Sequence, residues 1–412
     1  MIRPILLFAI LLNFADFTIF NIAFSFIMFV PFFLYFLKFF NFNKNFLLIS
    51  IFLVLLGIIL YLFGLLTDAR INLPTLIMMS LFFVFVSANV RNKDFTILQK
   101  EIVKSKALPI ILLIQPIFTL LQFFEFTFLG SFYLLNPFGS FSPPGPVGAD
   151  PFTYAGNIPP YEPSIWTLWP RPNSTFSEPS TLAIVLIISL NFFLWIYRDS
   201  KRTLFIMISL FAIISTLTAT GIILASISFG VYFNERSKLY NFQRILIGFS
   251  MIFVVTLLVA QLGYFDRLEE LNSPGKSGHT RITGPIEIIL SSLYDNPIGI
   301  PAGNTLVIEN ADVLKDSFGR TIARFDNTYY FFIYYFGAIG LFLTLLVASF
   351  FFLKAFQRNL EDVLPWFLIS LMIFFTGGGY APRFIFFFIF MVLVLSKIPK
   401  ELFEDKGNDA KV

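Results

Sequence analysis

Cysteine is absent from this 412-residue chain, and histidine occurs once, as His279. The first absence excludes disulfides, thiolate metal sites and thiol nucleophiles. The second excludes a multi-histidine metal centre. Charge is also scarce: 13% of residues are Asp, Glu, Lys or Arg, against about 25% in soluble domains. Apolar residues take the remaining space. They make up 57% of the chain, phenylalanine alone contributes 59, and the mean hydropathy is +0.80. This composition excludes a soluble enzyme, a disordered chain and a nucleic-acid binder. It points to an all-α polytopic membrane protein, each crossing needing ~20 mostly apolar residues.

Apolar runs separated by charged or Pro/Gly-rich segments predict about twelve crossings. They fall near 2–18, 20–40, 46–66, 74–90, 108–129, 179–197, 203–217, 219–233, 245–263, 327–353, 365–376 and 384–396. The first two come from one run divided near Asp16, which has no evident cleavage site and reads as spans rather than a removable signal. The segment 203–233 reads either as one long kinked helix or as two spans, and Thr216-Leu-Thr-Ala-Thr-Gly221 favours a tight turn between two. No internal repeat, low-complexity tract or soluble domain is visible, so residues 1–412 read as one integral-membrane domain.

Placing the N-terminus inside puts about two thirds of the 29 basic residues on the inner side, as the positive-inside bias requires. Both termini are then cytoplasmic. Two outer loops are long, 130–178 and 264–326, and long loops cross largely regardless of their charge. Loops of this length in a compact bundle are usually functional or disordered. Their Phe, Tyr, Trp, Ile and Pro content argues for ordered structure close to the membrane.

The first loop ends in Arg171-Pro-Asn-Ser-Thr-Phe-Ser-Glu-Pro-Ser180. Ser177 or Glu178 before Pro179 is a helix-start signature, with proline at the first helical position. Arg171 and Glu178 thus stand at the outer mouth of a descending helix, whose positive end favours an anion; paired with each other, they would do no more than bridge at the interface. Tyr154, Tyr161, Trp166 and Trp169 in the same loop fit a headgroup-level belt or stacking on sugar faces.

In the second loop, Ile286, Ile289, Leu290 and Leu293 follow helical spacing and predict a short amphipathic helix along the bilayer surface. A turn, Asn296-Pro-Ile-Gly-Ile-Pro-Ala-Gly303, comes next. The loop closes with Arg320, Arg324, Asp326 and Asn327 before the apolar run that starts at Tyr329. Gly275-Lys-Ser-Gly278 lacks the full phosphate-loop pattern and its strand–helix context, so it is no ATP site.

Several arginines on the outer side point to an extracytoplasmic anion, because guanidinium forks bind phosphate bidentately and keep their charge in a partly dry cavity. Lipid-linked sugar phosphates are the chief such anions there. With no ATP outside, bond formation must draw on an activated donor such as a glycosyl diphosphate. No Asp-x-Asp pair stands in the loops to hold a metal, so arginines and helix ends would stabilise the leaving group.

Several strings together resemble the superfamily of bacterial O-antigen polymerases and O-antigen ligases. They are Arg171-Pro-Asn-Ser-Thr-Phe-Ser-Glu-Pro-Ser-Thr-Leu-Ala183, Thr218-Ala-Thr-Gly221, Ser277-Gly-His-Thr-Arg281, Asn296-Pro-Ile-Gly299, and Asp326-Asn-Thr-Tyr-Tyr330 followed by Gly337-Ala-Ile-Gly340. Their order matches too, over about 171–340, and the Phe-Ser-Glu-Pro-Ser stretch leans toward the polymerases. The resemblance implies a class C glycosyltransferase architecture in the bacterial inner membrane, with its active site on the periplasmic face. It implies metal-independent, inverting transfer between undecaprenyl-diphosphate-linked oligosaccharides, with no cofactor and with a chain-length regulator as a partner.

By position, Arg171 and Arg281 resemble the family's diphosphate-binding arginines, and Arg324 stands close by in sequence. Asp326 falls where many members, ligases especially, have histidine before asparagine. A carboxylate of ordinary pKa is a weaker base than histidine, so Glu178 and His279 remain candidates for the base beside Asp326. Two other functions are open: a ligase that transfers glycan to lipid A–core, and a flippase for lipid-linked oligosaccharides. A flippase calls for ionisable residues at the midplane and related halves, and neither is visible.

Overall fold

A computed structural model describes residues 18–19, 22–23, 40–42, 44–66, 77, 80–82, 88–90, 99–129, 172, 174, 179–216, 218–236, 283–299, 327–357, 368–369, 371–372 and 382–395. Helices dominate them. Eight are numbered here: α1 (Lys44–Leu66), α2 (Ala107–Leu129), α3 (Pro179–Trp195), α4 (Arg202–Ser215), α5 (Ala219–Arg236), α6 (Gly284–Asp295), α7 (Thr328–Gln357) and α8 (Pro382–Leu395). The predicted spans 2–18, 20–40, 245–263 and most of 74–90 and 365–376 lie outside the described residues.

The all-α expectation needs one amendment, because four short strands occur among the described residues. β1 (Thr18–Ile19) pairs antiparallel with β2 (Ile22–Ala23), Thr18 opposite Ala23. The chain therefore reverses close to where the sequence reading divides residues 1–40. β3 (Phe40–Phe42) pairs antiparallel with β4 (Ala88–Val90). β4 lies inside the run 74–90 read as a crossing, so that run is not helical to its end.

α3 lies at the centre of the packing. Every residue from Leu182 to Trp195 is buried, with α4, α5, α2 and α8 packed around it. A helix that is apolar on all sides must be buried or span lipid. Around α3 the pattern of a water-soluble protein is inverted. On α2, Ile110, Ile114, Ile117, Leu121, Phe124 and Phe128 form an exposed stripe, while Gln115, Thr119, Gln122 and Glu125 are buried. On α4, Leu204, Met207, Phe211 and Ile214 face out, and Ser209, Ala212 and Ser215 face in. Polar and small residues inside with large apolar ones outside are what a helix in lipid requires. α2 is apolar enough to cross over Ala107–Glu125. This is a helical membrane protein.

The end of α3 remote from Pro179 is closed by Arg202 from α4. Its Nε donates to the Phe193 carbonyl at 2.9 Å, and its Nη2 donates to the Leu194 carbonyl and, at 2.8 Å, to the Tyr232 hydroxyl. A cation there satisfies terminal carbonyls and complements the helix dipole. In the connecting loop, the Lys201 amide and the Ser200 hydroxyl both donate to the Asp199 carboxylate, which titrates below the usual carboxylate range.

One expectation from the sequence is corrected here. The run 327–353 is not one straight crossing, because α7 breaks at Gly337 (φ 56°, ψ −136°). In a straight helix residues 332 and 340 stand about 12 Å apart along the axis. Here a Cβ on Gly340 would fall well inside 3.0 Å of the Phe332 carbonyl oxygen. The chain therefore folds sharply into a short helix over 328–336 and a longer one over 338–357. The longer piece is about 30 Å long, enough to cross alone. α6 forms as predicted, and its protein-facing residues are Gly284, Pro285, Ile288 and Ile289. Ile286 and Leu290 from the predicted stripe face outward together with Tyr294. Periodicity marks apolar positions without telling which of them meet protein.

Candidate functional site

Within Arg171–Ser180, Ser174 is held by α2. Gln115 and Gln122 are two turns apart on one face of that helix, both 1% exposed, and both reach Ser174. Gln122 acts as a complete peptide partner: its Oε1 accepts from the Ser174 amide at 2.7 Å, and its Nε2 donates to the Ser174 carbonyl at 3.1 Å. The Ser174 hydroxyl donates to Gln115 Oε1. Ser174 itself is 2% exposed with φ 52°, a conformation that non-glycine residues rarely adopt. Pro172 is buried as well. Non-helical backbone at membrane depth persists only where protein or a wet cavity satisfies its polar groups, and Gln122 satisfies both groups of Ser174.

α3 begins at Pro179, the first helical position that the sequence predicts. Alongside it, the tight turn between α4 and α5 forms as expected, with helix ending at Ser215 and resuming at Ala219. Thr218 caps α5: its Oγ1 accepts from the Gly221 amide at 3.2 Å and lies 3.1 Å from Thr216 Oγ1. Gly221 lets α5 approach α3, because a Cβ there would meet Thr218 Oγ1 at 2.8 Å and the Ala183 Cβ at 3.2 Å. Ser174, Thr216, Thr218 and Thr220 thus give these helix ends a buried polar character.

The second loop contributes two local structures. Asn327 is the N-cap of α7, its Oδ1 accepting from the Tyr329 amide at 2.9 Å and the Tyr330 amide at 3.4 Å. Asn296-Pro-Ile-Gly299 is a turn, closed by the Gly299 amide donating to the Asn296 carbonyl at 2.8 Å. It is seated in the break of α7, where the Ala338 amide donates to the Pro297 carbonyl at 2.9 Å. Gly299 (φ 101°) and Gly337 face each other backbone to backbone, and a Cβ on either would strike the other strand of chain. This joint ties the C-terminal end of α6 to α7.

All six charged or titratable candidates, Arg171, Glu178, His279, Arg281, Arg324 and Asp326, lie outside the described residues. What the structure gives is their attachment points. Arg171 is bonded to buried Pro172, Glu178 to the first residue of α3, and Asp326 to the N-cap of α7. Arg281 stands two residues before Thr283, where the chain enters α6. The described parts of the strings that resemble the polymerase–ligase superfamily form a clamp, two helix caps and a glycine joint. Gln115, Gln122 and the buried Glu125 one turn further along α2 did not emerge from motif reading. Their signal was polar residues at helical spacing inside an otherwise apolar span.

A model of the WcaD colanic acid polymerase family matches residues 3–398. No curated protein and no solved structure matches the chain.

Proposed function

From the premise that the chain belongs to the WcaD colanic acid polymerase family, we propose that it polymerises a surface polysaccharide from lipid-linked repeat units at the outer face of the bacterial inner membrane. The single observation that carries this reading is the family match over 3–398. It favours a polymerase over the ligase, which shares the chemistry but delivers glycan to lipid A–core.

In the proposed step, the growing glycan on undecaprenyl diphosphate is the donor and a new lipid-linked repeat is the acceptor. An acceptor hydroxyl attacks the donor's anomeric carbon from the face opposite the diphosphate. The new glycosidic C–O bond forms as the bond to the diphosphate breaks, inverting the centre. The hydroxyl proton passes to Asp326 or Glu178, with His279 the remaining candidate, and undecaprenyl diphosphate leaves. Arg171, Arg281 and Arg324 neutralise its charge without a metal, a role in which one lost donor commonly costs ~3 kcal/mol.

Deleting the gene and complementing it tests the reading. Loss of long glycan, with single lipid-linked repeats remaining, is the expected result. Arg171→Ala and Arg281→Ala should reproduce that loss at unchanged protein level. Polymer that stays on the lipid carrier and is never transferred would mean ligase. An unaltered polysaccharide would overturn the transferase and turn attention to lipid-linked oligosaccharide transport.

A further inference from the structure

We infer that Gln122, assisted by Gln115, is a positioning residue that anchors to α2, through Ser174, the backbone leading to Arg171 and so to the donor's diphosphate. The inference rests on the diphosphate role proposed above for Arg171. It starts from distances along α2. Gln115 and Gln122 stand about 12 and 22 Å from the start of a helix about 34 Å long. Helical side chains lean toward the N-terminus, so neither glutamine reaches up toward the C-terminal end. Ser174, bonded to both, therefore sits beside the middle of α2 rather than at its mouth.

The bonding pattern is specific for an amide. Ser174 presents one donor and one acceptor of its main chain, and only a side chain with both functions answers them together. An ionised Asp or Glu at 122 would accept from the Ser174 amide and leave its carbonyl unmet in a buried setting. Two residues, Asn173 and the buried Pro172, lie between Ser174 and Arg171. Pro172 fixes its own φ and has no amide hydrogen to satisfy. Chain connectivity keeps the Arg171 Cα within about 11 Å of the Ser174 Cα, so the clamp limits how far the arginine can travel from α2.

The test exploits the absence of cysteine. Pro172→Cys gives a single thiol at a buried position beside the clamp, and its labelling by a membrane-impermeant maleimide on intact cells reports whether that position stays buried. Gln122→Met keeps the side-chain length and removes both bonds. Labelling should be slow in the Pro172→Cys protein and about tenfold faster once Gln122→Met is added. Donor KM, measured on purified full-length protein with the lipid-linked repeat unit that accumulates in a deletion strain, should rise about tenfold while kcat changes less. Gln115→Met, which spares both backbone bonds, should give a smaller change of the same kind.

Unchanged labelling in Gln122→Met would overturn the clamp whatever happens to activity. Faster labelling with unchanged donor KM, where Arg171→Ala is inactive, would overturn the positioning role and leave the proposed function standing. A fully active Arg171→Ala would overturn the diphosphate reading and this inference with it.

Discussion

Two stretches of non-helical backbone are seated against helices in this protein, by opposite means. Ser174 is gripped by side chains, with Gln122 and Gln115 reaching from α2 to meet its amide, carbonyl and hydroxyl. The Pro297–Gly299 turn is seated by the lack of side chains, with Gly299 and Gly337 allowing direct backbone contact and an Ala338 to Pro297 hydrogen bond. A side-chain grip supplies directional bonds at a chosen depth, and losing one bond leaves the others. A glycine joint has no slack, because any Cβ strikes main chain that cannot rotate away. The first suits a segment that must be aimed, the second a segment that must be fixed.

The comparison breaks most sharply at the joint. Gly337→Ala places a Cβ well inside 3.0 Å of the Pro297 carbonyl oxygen, at a backbone conformation (φ 56°, ψ −136°) that only glycine adopts readily. The expected outcome is loss of more than ~4 kcal/mol and little protein recovered from membranes. Gly299→Ala meets the Tyr335 carbonyl oxygen and the Gly337 amide in the same way and should behave alike. Wild-type yield and wild-type melting in detergent for either variant would show that the joint does not bear on the fold.

Gln122→Met should fall between. It strands one buried amide and one buried carbonyl, at a cost of about 1–3 kcal/mol each if nothing replaces the bonds. Water entering beside Ser174 would recover part of that. The protein should still fold, with a lowered melting midpoint in detergent. A midpoint as low as that of the glycine variants would erase the distinction between grip and joint.

How much of this was legible in the sequence depends on how local the chemistry is. Pro179 and Asn327 announce their helix ends because a cap acts within three residues. The Thr216–Gly221 turn is readable for the same reason. The break at Gly337 is not readable, since glycines at 337 and 340 in a long apolar run also suit a close-packed span interior, and the partner Gly299 belongs to another loop. The grip on Ser174 joins residues 52 and 59 apart in sequence, and no local rule couples them. The glutamines were visible only as polar intrusions in an apolar helix. For α6 the apolar period was legible, but the division between protein-facing Ile288 and outward-facing Leu290 is made by what packs on it. The charged candidates follow from the chemistry that a diphosphate leaving group demands, not from any packing rule.

The smallest predicted effect separates the two designs most finely. Ser174 occupies a positive-φ position where a glycine joint would use glycine, and the reason for serine is its hydroxyl bond to Gln115. Ser174→Ala removes that bond and keeps the backbone strain, so it loses about 1 kcal/mol. Ser174→Gly removes the same bond but relieves a left-handed conformation that costs about 1–2 kcal/mol for a residue with a Cβ. Greater freedom in the unfolded chain takes back roughly 0.5–1 kcal/mol of that relief. The glycine variant should therefore melt at or slightly above the alanine variant, although glycine is ordinarily the worse choice at a buried position. If alanine proves clearly the more stable of the two, Ser174 is not held at positive φ, and the geometry that aims Arg171 must be redrawn.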